Sequence, residues 1–333
     1  MKFHWTDTIR VAGMIAAASV VFAAAPATSD GPPTWAYGTD PATIIPRNPQ
    51  ARRPAPDPTP LHLEGSTFEF TRAQINNLFG PADWFPGDHP EMPDVVAHGR
   101  RPKVMACALC HYPNGKGRSE NASVAGFPTS YFIEQIDEFR SGARKSADSR
   151  KRNTNVMIAI AQGMTDEEIK AAANYFGSMK WTPWIKVVET DTVPKMYSAG
   201  GMLLPVKGGG NEPIGERIIE TPVDVEATEM YRNPRSGFIA YAPPGSIEKG
   251  KELVTTNTGK TIPCGICHGP DLNGLGPVPG IAGRSPSYLV RQLYDMQQGT
   301  RNGTWTQLMK PVVSKLSEED MVNIAAYTSS RIP

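Results

Sequence analysis

Cys107-Ala108-Leu109-Cys110-His111 and Cys264-Gly265-Ile266-Cys267-His268 together hold every cysteine of this 333-residue chain, in two copies of one spacing, Cys-x-x-Cys-His. None is left over for another role. A zinc ribbon also uses two Cys-x-x-Cys pairs, but those stand about 15 to 20 residues apart. Here 153 residues separate Cys110 from Cys264. Structural disulfides and a thioredoxin-like redox pair give no reason for a histidine immediately after each pair.

The spacing does suit one other chemistry. Two thiols three positions apart on a helical turn reach the two vinyl groups of a single porphyrin and form thioethers, and the histidine that follows offers Nε2 to the iron from below. Cys107, Cys110, Cys264 and Cys267 are therefore the expected attachment points of two covalently bound haem c groups, and His111 and His268 the expected proximal ligands. The two halves also align, at first without a gap. At an offset of 157, Pro113 matches Pro270, Ala125-Gly126 matches Ala282-Gly283, Tyr131 matches Tyr288, Gln135 matches Gln292 and Arg144 matches Arg301. Beyond that point the offset is 152 and pairs Met157 with Met309, Met164-Thr165 with Leu316-Ser317 and Tyr175 with Tyr327. A loop of five extra residues in the first half accounts for the change.

Each repeat ends on a helix whose start is visible. Thr165-Asp166-Glu167-Glu168 and Ser317-Glu318-Glu319-Asp320 place a hydroxyl at the N-cap and an acid three positions later, with further negative charge at the positive end of the helix dipole. An apolar stripe at helical spacing follows: Ile169, Ala172, Ala173 and Phe176 in the first half, Met321, Ile324 and Ala325 in the second. An earlier helix is expected over Thr129 to Gly142 and over Pro286 to Gly299, with Phe132, Ile136 and Phe139 matched by Leu289, Leu293 and Met296.

The attachment motifs, the Tyr-x-x-x-Gln helix and the methionine before a capped terminal helix resemble the two halves of dihaem bacterial c-type cytochromes, over about Val95 to Lys180 and Gly245 to Ile332. The resemblance implies a mainly α fold of two class I cytochrome c domains in tandem. It also implies that Met157 and Met309 complete the irons, since the family's axial methionine sits seven residues before the apolar residue that opens the capping box. A thioether is a soft, neutral ligand that favours ferrous iron and leaves no open position. The other candidates Met164, Met179, Met296 and Met321 read as core filler. By the same resemblance Tyr131, Gln135, Arg144, Tyr288, Gln292 and Arg301 lie near haem propionates, and the Pro279 carbonyl steadies His268. Ala122 stands at the position of Pro279 in the first half. His62, His89 and His98 are expected in ordinary polar roles.

The rest of the chain sets the context. Lys2 and Arg10 followed by the uncharged run Val11 to Ala25 and the small residues Ala25-Pro26-Ala27 read as a signal peptide over 1–27, too short to span a bilayer, so that membrane association requires the leader to be retained. The formal charge of +1 falls to near zero without it, which makes nucleic acid an unsuitable partner. Ten prolines between Pro26 and Pro60 predict an extended arm over 28–62. The first cytochrome c domain with an N-terminal extension is expected over 63–180, with a short helix near Phe68 to Phe79, and the second over 245–333. The connector 181–244 has no Cys or His; Ile185 to Val193 is rich in Val and Thr, and Met202 to Val206 and Glu216 to Thr221 flank the turn-forming run Gly208-Gly209-Gly210-Asn211, which predicts a β-hairpin. These features point to periplasmic electron transfer between redox partner proteins: an exported dehydrogenase, a membrane respiratory complex or an oxidase. The alternative is a haem enzyme, a peroxidase or an oxidoreductase of small sulfur compounds, with one labile distal ligand.

Overall fold

Each capping box forms. In the computed structural model, which describes residues 31–45 and 57–333, the Thr165 hydroxyl accepts from the Glu168 amide at 3.2 Å while Glu168 accepts from the Thr165 amide at 2.8 Å. Ser317 and Asp320 exchange the same two bonds at 3.1 and 3.0 Å. These caps start the helices Asp166–Gly177 and Glu318–Ser330. The first packs with Thr129–Ser141 and Arg152–Gly163 around Phe132, Ile136, Ala161, Ile169, Ala173 and Phe176. The second packs with Ser246–Thr255 and Pro286–Gln297 around Val254, Val290, Leu293, Met321 and Ala325. Gly250 is required where two of these helices touch, because a Cβ there would lie 1.9 Å from the Asn323 carbonyl oxygen.

The segment between the repeats carries most of the strand. Ile185–Glu189 runs parallel to Phe238–Ala242, which pairs antiparallel with Ile219–Pro222 on its other side. The expected hairpin across the glycine run does not form, because each flanking run pairs with another strand. Met202–Pro205 folds back on Met196–Ala199 through Gly200-Gly201, whose φ values of 63° and 97° suit glycine. The run at Gly208 to Gly210 instead lies inside a pairing of Thr192–Pro194 with Asn211–Pro213. Turn chemistry fixed where the chain reverses, and burial of Met202, Leu203 and Leu204 chose the partner.

Two further stretches differ from expectation. Glu69–Phe70 is a short strand and Arg72–Ile75 a single helical turn, capped by Thr71, in place of one helix through Phe79. Within the proline-rich arm Thr34–Tyr37 forms a helical turn that buries Ala36 and Tyr37 against the second repeat. The prolines at 54 and 56 and the signal peptide lie outside the described residues. Among the described residues no helix is long and apolar enough to cross a membrane.

The repeats meet along a short antiparallel bridge at Arg144 and Arg301, flanked by Lys145 N to Thr300 O at 2.8 Å and Asn302 N to Ala143 O at 2.7 Å. Residues matched at the offset of 157 thus face each other across the contact.

Candidate functional site

Two cavities, of about 360 and 490 Å³, stand on either side of that bridge, each of a size that suits a cofactor. The smaller is lined by Cys107, Cys110, His111 and Met157, the larger by Cys264, Cys267, His268 and Met309. The motif residues Cys107–His111 form a helical turn, as do Gly265–His268, so each pair of thiols and its histidine is presented on one face. Met157 comes from the helix Arg152–Gly163, and Met309 follows the 3₁₀ turn Trp305–Leu308. Met164 and Met296, read from sequence as filler, are buried and also touch the two cavities.

The histidines are held alike in both halves. His111 Nδ1 lies 2.8 Å from the Ala122 carbonyl and His268 Nδ1 lies 2.8 Å from the Pro279 carbonyl. A backbone oxygen does this work, so proline at 279 and alanine at 122 serve equally. Each Nδ1–H donates to its carbonyl and Nε2 is left as the free lone pair. Burial pushes both imidazoles below the ordinary histidine value, and the bonds to the carbonyls oppose that only in part.

Between the cavities the six expected polar residues form one network. Arg144 donates to Gln135, Tyr288 and Gln292, each at 2.9 Å, and Arg301 donates to Gln292, Tyr131 and Gln135 at 3.0, 3.0 and 2.8 Å. Each arginine therefore bonds residues of both repeats. Tyr131, Gln135, Tyr288 and Gln292 line both cavities. Burial would raise the Tyr288 phenol, but Arg144 and Arg301 beside it prevail and its pKa falls.

That field tests whether a haem fits. Two buried guanidinium groups are bonded here only to neutral oxygens, Arg301 Nε has no partner, and the nearby Glu138 carboxylate makes no hydrogen bond to either. Uncompensated buried cations are costly, and the propionates of a haem in each cavity are the anions that such a network accepts. The thiols, the imidazole and the thioether in each wall suit the rest of the group.

Sequence reading missed several polar residues of the cavity walls: Lys151, Glu120, Arg291 and Asp295 on the first, Arg284 and Glu134 on the second. A signal existed for two of them. Arg291 matches Glu134 at the offset of 157, a charge reversal between otherwise similar repeats.

The cytochrome c family profile matches residues 96–180. Cytochrome c4 of Azotobacter vinelandii is 35% identical over 230 residues, covering 68% of this chain and 84% of that protein. Cytochrome c4 of Pseudomonas aeruginosa is 37% identical over 229 residues, 68% of this chain and 83% of that one. A protein of Stutzerimonas stutzeri named thiosulfate dehydrogenase electron acceptor is 27% identical over 233 residues, 69% of this chain and 80% of its own length. With two attachment motifs, two matched cavities and these relatives, the chain belongs to the dihaem bacterial c-type cytochromes of the cytochrome c4 kind, electron-transfer proteins with two covalently bound haem c groups.

Proposed function

We propose that this cytochrome is an exported electron carrier in which Cys107, Cys110, His111 and Met157 hold one haem, and Cys264, Cys267, His268 and Met309 the other, with both irons six-coordinate. The observation that carries the reading is that each motif histidine and its matched methionine stand in the wall of the same cavity. When bound, haem c supplies a one-electron ferric/ferrous couple. Met157 and Met309, as soft neutral thioethers, would hold the metal in its reduced state and deny substrates access to it. Phe132, Ile136 and Phe176 in the first cavity, and Leu289, Leu293 and Ile324 in the second, exclude water. Tyr131, Gln135, Arg144, Tyr288, Gln292 and Arg301 bind the propionates from both sides of the bridge.

The likeness to a thiosulfate dehydrogenase electron acceptor supports an exported dehydrogenase as the donor, with a membrane complex or oxidase as the acceptor. The second cavity supplies the port. Its rim exposes Ile262, Trp305 and Leu308, apolar side chains of the kind that bind proteins. The leader supports a periplasmic location.

Replacing Met309 with His tests the ligand assignment. One midpoint potential should fall, the other should stay, and the near-infrared band of sulfur-ligated iron should lose about half its intensity, since one of two irons loses sulfur. An undiminished band would remove Met309 from the iron.

A further inference from the structure

Lys151 is 3% exposed, stands in the wall of the first cavity, and its ammonium has no hydrogen-bond partner. The residues around it explain why it is sealed. The connector turn Gly200-Gly201 presses on it so closely that a Cβ on Gly201 would lie 3.1 Å from its Nζ and 3.5 Å from the Glu120 Cβ. Gly38 of the N-terminal arm backs that turn in turn, with room for no side chain.

The acids nearby are engaged elsewhere. Asp148 accepts from Arg150 at 2.7 Å and from Thr39 at 2.5 Å. Asp295 accepts from Tyr37 at 2.6 Å and from the Ala147 amide at 2.7 Å. Glu120 binds Arg118 at 2.5 Å through one oxygen and leaves the other unpartnered. Arg291 donates to the carbonyls of Ala36 and Ser119 and so brings a positive charge beside Lys151 without pairing it. An isolated buried ammonium is strongly unfavourable in water's absence. Burial, followed by Arg291, accordingly drives the amine well below the ordinary lysine value. Lys145 and Arg152 also line this cavity, but both are exposed, where solvent screens them.

We propose that Lys151 is a binding residue for a carboxylate inside the first cavity, a propionate of the haem held there, and that it raises the potential of this haem. The inference rests on the two-haem reading and adds a residue that the repeat does not predict. Lys151 falls in the five-residue excess between Arg144 and Met157, for which Arg301 to Met309 has no counterpart. Where the first cavity has Glu120 and Arg291, the second has at the matched positions Pro277 and, from the first repeat, Glu134. A cation close to one haem only stabilises its ferrous state and separates the two potentials.

The test uses the full-length, haem-loaded protein with Lys151→Met, Lys151→Gln and Lys151→Arg, each first weighed to show two haems. Redox titration of the Met or Gln variant should show one haem harder to reduce by about tenfold in its equilibrium, which is 59 mV for one electron, with the other little changed. The propionate bending band in resonance Raman should shift in the same variants, and Lys151→Arg should retain both properties of the parent. Unchanged potentials in a variant that keeps both haems would overturn the proposal. So would a lowered potential with an unmoved propionate band, which would pair Lys151 with Glu120 instead. A single haem by mass in the parent would count against the two-haem reading itself and would be seen before either measurement.

Discussion

Leu109 and Ile266 occupy the same position of the same motif, yet Leu109 is 7% exposed and Ile266 is 65% exposed. The difference lies outside the motif. Over the first one, Arg232 donates to the Leu109 carbonyl, Asn114 donates to the Pro234 carbonyl at 2.7 Å, and Arg118 bridges to Glu229 at 3.3 Å. Glu229, Arg232 and Pro234 all belong to the connector, and the N-terminal extension adds the ion pair of Asp88 with Arg235 at 2.7 Å. Among the described residues no comparable contact covers the second motif, where Cys267 is exposed beside Ile266. Identical motifs thus acquire different access to the outside from chain far away in sequence. The connector covers the first motif, and under the proposed function the exposed second motif is the contact point.

The largest expected effect uses that pair of residues directly. Leu109→Lys should cost about 3 kcal/mol of stability, the penalty of an unpaired buried charge. Ile266→Lys should stay within about 0.5 kcal/mol, as for surface changes. Thermal melts of the two variants measure both, and equal losses would mean that the cover over the first motif is not closed.

A smaller effect concerns the open side. Trp305 is 53% exposed and Leu308 62% exposed on the rim of the second cavity. Trp305→Glu should leave the melting temperature nearly unchanged, while slowing reduction by a protein donor about tenfold, the loss of one aromatic contact at an interface. Reduction by a small mediator should be unaffected. If the mediator is slowed as much as the protein, the effect is on the haem and the rim is not a docking surface.

The smallest is a pH effect confined to the covered half. His89, in the extension, lies 3.2 Å from Asp83 and 2.8 Å from the Pro90 carbonyl. Burial lowers its pKa, but these two bonds outweigh it and the net shift is upward. A raised pKa means that protonated His89 stabilises the fold below its unfolded value of about 6.5, and that this contribution is lost as pH rises through the folded value. The melting temperature of the parent should therefore exceed that of His89→Gln at pH 5.5 and converge with it towards pH 8. A gap that widens with pH would reverse the assignment.

The motifs, the internal repeat and both capping boxes were legible in the sequence because each depends on residues within a turn or two of one another. The offset of 157 even brought the arginine–glutamine–tyrosine network to notice, although not that each arginine bonds across to the other repeat. What stayed hidden depends on long-range contact. Arg232 reaches Leu109 across 123 positions, and Tyr37 reaches Asp295 across 258. No local pattern announces such pairs. The connector shows the limit clearly: the run Gly208 to Gly210 suggested the reversal, but the chain reverses at Gly200-Gly201, and the pairing of Met202–Pro205 with Met196–Ala199 buries Met202, Leu203 and Leu204. Lys151 is the sharpest case, since it sits where the repeat breaks down.

Carbon monoxide tests the central claim most directly, because it binds ferrous haem only where a distal position is vacant or labile. With Met157 and Met309 closing both irons, the reduced native protein at neutral pH should show no spectral change on addition of the gas, while both haems still exchange electrons with small mediators. Rapid binding of one equivalent would contradict the account and return the protein to the enzymes, with the loss of methionine ligation to be sought first at Met157, in the half whose distal segment is five residues longer.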